Sequence, residues 1–137
     1  MERTLLILKP DAVERGLVGE ILRRVEARGL RLVAVELRKI DRELAAAHYD
    51  EHVGKDFFEG LLELITRSPS LLVVLEGPSD AYAVLRSLLG ATDPKAAAPG
   101  TIRGDWGTEL PENLVHGSDS RQSGAREIAL FFPKLPG

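Results

Sequence analysis

Thr4-Leu5-Leu6-Ile7-Leu8, followed at once by Lys9-Pro10-Asp11, decides the architecture. A short continuous apolar run reads as a strand buried on both faces, because a strand with one wet face alternates. Pro10 ends it, since proline cannot continue the ladder. Lys9 therefore stands at the end of a central strand, where a charge is tolerated only at the rim of a cleft. Leu71-Leu72-Val73-Val74-Leu75, stopped by Gly77-Pro78, is a second run of the same kind. The two other candidate strands are mixed in polarity: Leu30 to Lys39, and Glu127-Ile128-Ala129-Leu130-Phe131-Phe132, which Pro133 ends. This contrast puts the first and third strands in the middle of a four-stranded sheet.

Helical spacing fills the intervals. Apolar residues at 17, 18, 21, 22 and 25 mark an amphipathic helix from Leu17 to Arg28, closed by Gly29. Asp41 caps a helical stretch from Arg42 to about Val53, and Lys55 opens another that runs to Thr66 with Leu61, Leu62 and Ile65 inward. Ser79 or Asp80 caps a helix through Leu89, which Gly90 stops. Residues 91–119 are polar, aperiodic and punctuated by glycine and proline, and loops of that length are usually functional. Asp119 with Gln122 resembles a capping box for one short helical turn. The order β-α-β-(αα)-β-α-loop-β predicts one α/β (α+β) domain over residues 1–137. It is a ferredoxin-like sandwich: an antiparallel four-stranded sheet with helices on one face and a long functional loop before the last strand.

With 137 residues the chain can bury a real core, and 44% apolar with 28% charged residues is the composition of a soluble globular protein. No leader-like or membrane-length apolar segment is visible, and zero cysteines exclude disulfides and thiolate metal sites, so the expectation is a cytoplasmic protein. A net charge of −3 argues against a nucleic-acid coat or a membrane-surface module. Any anion must be held by a local cluster of basic residues.

Phosphate-loop and dinucleotide fingerprints are absent, and Gly16-Leu17-Val18-Gly19 is too short for either. Arg86, Thr92 and Arg103 offer two guanidinium forks and a hydroxyl that could hold a polyphosphate without a glycine-rich loop, or else pair with Asp93 and Asp105 on the surface. Phe57 and Phe58 point about 100° apart on a helix, so one can enter the core while the other offers a stacking platform for a base. His48 and His52, four apart, could be half of a metal site, but no third ligand at useful spacing follows, and a solvated helical face is the better reading. Asn113-Leu114-Val115-His116-Gly117-Ser118-Asp119-Ser120 holds a lone histidine whose ring nitrogen is neutral and available near pH 7. A structural histidine and a nucleophile both fit that octapeptide.

Taken together, Leu8-Lys9-Pro10-Asp11, Arg15-Gly16-Leu17-Val18-Gly19-Glu20, Phe57-Phe58, Gly90-Ala91-Thr92-Asp93-Pro94, Gly100-Thr101-Ile102-Arg103-Gly104-Asp105 and Asn113 to Ser120 resemble the nucleoside diphosphate kinase family over the whole chain. The resemblance implies an enzyme that moves the γ-phosphoryl group of ATP or another nucleoside triphosphate to a nucleoside diphosphate. It would do so by ping-pong exchange through a phosphohistidine on His116, maintaining NTP and dNTP pools. Glu127, thought to enter the last strand, would orient His116, and Tyr49 would lie close to the transferred group. Arg86, Thr92 and Arg103 would hold phosphates, Lys9 and Asn113 the ribose, and Phe57 the base. Mg²⁺ would arrive on nucleotide phosphates with no protein ligands. A homo-oligomer is implied, a hexamer in preference to a tetramer with a dimer as its unit, and neither nucleic acid nor membrane is needed as a partner. Asp56 stands where the family often has proline, Asp93 where it often has asparagine, and Gly124 where alanine is usual. A relay carrier and a non-catalytic nucleotide sensor are the competing readings.

Overall fold

The computed structural model describes residues 1–136. Strand β1 (Glu2–Leu8) runs into helix α1 (Pro10–Glu14), and α2 (Val18–Ala27) leads to β2 (Arg31–Arg38). Helices α3 (Arg42–His48) and α4 (Phe58–Thr66) precede β3 (Ser70–Gly77), and α5 (Ala81–Leu89) follows it. A segment with the one-turn helix α6 (Ile102–Trp106) then reaches β4 (Val115–Gly117) and the closing helix α7 (Arg121–Phe131).

The sheet order is β2-β3-β1-β4, all pairs antiparallel, so the two wholly apolar runs are central as expected. Their side chains alternate between two separate cores. Leu6, Leu8, Val73 and Leu75 pack with Ile21, Val25, Leu85 and Leu89 from α2 and α5. Leu5, Ile7, Leu72 and Val74 pack with Ala45, Leu62, Ile65 and Phe131 from α3, α4 and α7. Helices therefore cover both faces rather than one, and this double burial is what makes the central strands continuously apolar.

Three further expectations are corrected. Glu127–Phe132 is not a strand: residues 121–131 form α7, which buries Gly124, Glu127 and Phe131 at helical spacing, and the last strand is Val115–Gly117. A short apolar run cannot be assigned by periodicity alone, and the cap is Ser120, whose hydroxyl accepts from Ser123 N at 2.9 Å, rather than Asp119. The segment after Gly90 is not one long loop, because Thr101 caps α6 within it. The stretch from Arg42 stops as a helix at His48 and continues as a single 3₁₀ turn, while α4 begins at Phe58.

Strand β4 sits close against α5. A Cβ on Gly117 would lie 2.8 Å from Leu89 Cδ1, so glycine lets the strand carrying His116 dock there without displacing the α5 leucines. No helix among the described residues is long and apolar enough to cross a membrane.

Candidate active site

His116 lies on β4 opposite Ile7 of β1, at the edge of the sheet, with its side chain a quarter exposed. Its Nε2 is 2.9 Å from Glu127 Oε1, supplied by α7, and Ser118 Oγ donates to the same oxygen at 2.6 Å. Burial pushes the Glu127 carboxyl up. The hydrogen bond and charge of His116 and the Ser118 hydroxyl outweigh it, holding the carboxyl below its ordinary range. An ionised carboxylate can only accept, so the shared hydrogen sits on Nε2 and the lone pair is left on Nδ1.

A cleft of about 650 Å³ opens in front of this ring, within the range of small-molecule sites. It is lined by every residue to which the resemblance gives a site role except Glu127, which lies behind His116. Lys9, at the end of β1 and only 4% exposed, donates from Nζ to Asn113 Oδ1 at 2.6 Å and to Pro111 O at 3.1 Å. Burial lowers its pKa to about 8, with Arg103 adding to the effect and Asp11 opposing it. Asn113 Nδ2 in turn donates to Thr92 O at 2.9 Å. Each of the two side chains keeps one N–H donor uncommitted by these bonds.

Arg103, on α6, is buried and ties three turns together. Nε donates to Asn113 O at 3.2 Å, Nη1 to Gly90 O at 2.8 Å and Nη2 to Val115 O at 2.7 Å. Burial and neighbouring Arg86 lower its pKa to about 10. Three of its five donors are spent on the fold, leaving two. Arg86 reaches Gly117 O at 2.9 Å from α5. Leu114, fully buried, has φ +73°, and Asp11 Oδ2 accepts its N–H at 2.9 Å, fixing the strained turn between Asn113 and His116. Nothing in the sequence distinguished Asp11 as that anchor.

At the other end Phe57 is 52% exposed at the start of α4, its ring 5.1 Å from that of His52, while Phe58 packs into the second core. The adjacent pair thus divides as its spacing predicts. Tyr49 is buried between cleft and core, and burial raises its hydroxyl pKa. His48 is not part of a solvated face: it is 6% exposed, with its ring 4.7 Å from that of His116. The lining includes one carboxylate, Asp56, against three cationic side chains, Lys9, Arg86 and Arg103, a set suited to an anion and no cage of oxygen ligands for a hard cation.

The family model described as nucleoside diphosphate kinase matches residues 2–136. A nucleoside diphosphate kinase of Rhodococcus opacus is 60% identical over 135 residues, 98% of this chain and 96% of that protein. One from Thermobifida fusca is 56% identical over 135 residues, 98% of this chain and 99% of its own length. The solved structure of a halophilic nucleoside diphosphate kinase from Halobacterium salinarum, in complex with CDP, superposes with a TM-score of 0.92 at 51% identity, covering 96% of this chain and 87% of that one. An Encephalitozoon cuniculi nucleoside diphosphate kinase gives 0.95 at 37% identity, covering 100% and 94%. Matched in sequence, fold and length from one end to the other, the chain belongs to the nucleoside diphosphate kinase family, and is therefore a kinase.

Proposed function

We propose that this kinase works by ping-pong exchange through a phosphohistidine on His116. The observation that carries the reading is the engagement of Nε2 by Glu127, which leaves the Nδ1 lone pair as the nucleophile beside a cationic cleft. Nδ1 attacks the γ-phosphorus of a nucleoside triphosphate, and the bond to the β–γ bridging oxygen breaks as the diphosphate leaves with that oxygen. A terminal oxygen of a second nucleoside diphosphate then attacks the same phosphorus and releases His116. Such chemistry needs positioning and charge neutralisation above all.

Arg86, Thr92 and the two spare donors of Arg103 hold the phosphates. The remaining donors of Lys9 and Asn113 bind ribose hydroxyls, and Tyr49 stands beside the transferred group. Phe57 stacks on any base, having a π-face to offer and no hydrogen-bond code. Kinases of this family act with a divalent cation. Mg²⁺ fits as a passenger on phosphate oxygens, where it supplies charge neutralisation, because the cleft has no ligand set of its own. Substrates are ATP and other nucleoside tri- and diphosphates, and the activity equalises NTP and dNTP pools.

Edge strand β2 exposes Val35 (47%) and Leu37 (59%), an apolar sheet edge that supports an oligomer built from dimers; a hexamer is favoured over a tetramer.

The test is incubation with γ-labelled ATP and Mg²⁺, followed by unlabelled GDP, for wild type and His116→Ala. Acid-labile label on wild type alone, chased into GTP, is the expected result. Label that stays on the protein, or none, would sink the ping-pong reading.

A further inference from the structure

Beside the nucleotide cleft, sharing Tyr49, His52, Arg86, His116 and Gly117 with it and reaching Glu127, lies a second opening of about 330 Å³. Three carboxylates, Asp50, Glu51 and Asp119, and two guanidiniums, Arg86 and Arg126, line it, with buried His48 and Glu127, so acidic groups outnumber basic ones by four to two. His48, His116 and Glu127 each place one potential ligand atom so that all lie within 4.8 Å of one another. His48 is the unexplained member. Both of its ring nitrogens are buried without a hydrogen-bond partner, although a buried imidazole ordinarily satisfies at least one. Its surroundings are the rings of Tyr49 at 4.6 Å, His116 at 4.7 Å and Phe131 at 5.3 Å, and the phosphoryl transfer above does not use it.

We propose that His48, His116 and Glu127 form an inhibitory site for a borderline transition-metal cation of the Zn²⁺ type, entered through this acidic opening. Two imidazoles and one carboxylate, with water in the fourth position, make a common zinc ligand set. The same set suits Mg²⁺ poorly, since that ion prefers six oxygen ligands and dehydrates reluctantly, so the cation carried by nucleotides competes weakly for it. The metal takes the Nε2 lone pair of His116 and an oxygen of Glu127. The hydrogen that Nε2 carried moves to Nδ1, so the imidazole stays neutral while the nucleophilic nitrogen is capped by a proton. Because the metal sits at Nε2, on the Glu127 side of the ring, the nucleotide still reaches the phosphate donors of the cleft, and inhibition is not relieved by raising substrate.

The inhibitory consequence rests on His116 being the phosphoryl carrier; the binding site does not. Wild type, His48→Gln, His116→Gln and His52→Gln are titrated with Zn²⁺ by calorimetry in excess Mg²⁺, and with Co²⁺ while its visible absorption is followed. One metal per chain is expected for wild type and His52→Gln, with binding weakened at least about tenfold in the other two. The His116→Gln arm alters a side chain that is a quarter exposed and guards against misfolding of the buried His48→Gln variant. No binding by wild type, or equal binding by both ligand variants, overturns the site. Metal-loaded wild type should take no label from γ-labelled ATP, and labelling that persists overturns the inhibition. If metal-free wild type never labels, the carrier reading fails while the isotherm still judges the site.

Discussion

The two ends of the nucleotide cleft are built by opposite means. At the phosphoryl end most of the polar side chains are buried, exposed Arg86 and Thr92 apart, and are already held. Lys9 is bound to Asn113, Asn113 to Thr92, Arg103 to three carbonyls and His116 to Glu127. At the base end Phe57 stands half in solvent beside exposed Leu110, offering surface and no directional group. A buried network fixes donors before substrate arrives, so binding does not have to order them. An exposed ring does the reverse: it rewards any flat partner and distinguishes poorly among bases. On the proposed reading, a cleft built this way is specific for where phosphorus sits and permissive about what is attached to it.

The largest expected effect lies at the rigid end. Glu127→Gln keeps the shape but replaces an acceptor-only carboxylate with an amide that can present its NH₂ to His116 and favour the wrong tautomer. By comparison with other histidines that lose a carboxylate partner, kcat should fall by about 10²–10⁴-fold with KM little changed. Stopped-flow phosphorylation of the enzyme by ATP measures the step directly. A loss expressed in KM alone would mean that Glu127 only supports the cleft wall.

Phe57→Ala should cost about 1–3 kcal/mol of nucleotide binding, read as a raised KM for ATP, GTP and CTP alike with kcat preserved. Unequal penalties among the bases would break the comparison, because the ring would then be discriminating.

Lys9 supplies a third and smaller test. Its lowered pKa means that the free enzyme loses this charge as pH rises through about 8, so kcat/KM should fall about tenfold per pH unit above that point. Stability runs the other way. A buried ammonium opposes folding below about pH 8, and the opposition is relieved as pH climbs toward the ordinary 10.5. Activity falling while thermal stability holds would separate loss of the Lys9 charge from alkaline unfolding, and Lys9→Arg should remove the limb.

Legibility in the sequence divides along the same line. Residues that act through their own chemistry and line the cleft, Lys9, Phe57, Arg86, Thr92, Arg103, Asn113 and His116, stand in local motifs, and the fold brings them together. The two central strands were equally legible, because burial on both faces leaves an unbroken apolar run. What the sequence concealed depends on packing from a distance. Residues 127–132 carry no period that tells strand from helix, and only their burial against β1 shows Glu127 projecting from α7 behind His116. His48 has a polar neighbourhood in sequence and an aromatic one in space. Asp11 serves a strained Leu114 that lies 103 positions away along the chain.

The smallest effect compares one substitution at both ends. Gly60 is exposed on α4 at the base end, with a helical backbone and nothing within 4 Å of where a Cβ would stand. Gly60→Ala should therefore raise stability by about 0.4–1 kcal/mol, mainly by restricting the unfolded chain, and leave kcat unchanged. At the phosphoryl end the same methyl on Gly104 would lie 1.9 Å from Ala98 O, a backbone atom that cannot swing aside. Gly104→Ala must push apart the turn that carries Arg103, so thermal denaturation should show a lowered melting temperature together with a weakened grip on nucleotide. If both variants behaved alike, the base end would be as tightly specified as the phosphoryl end, and its tolerance for different bases would need a cause other than looseness.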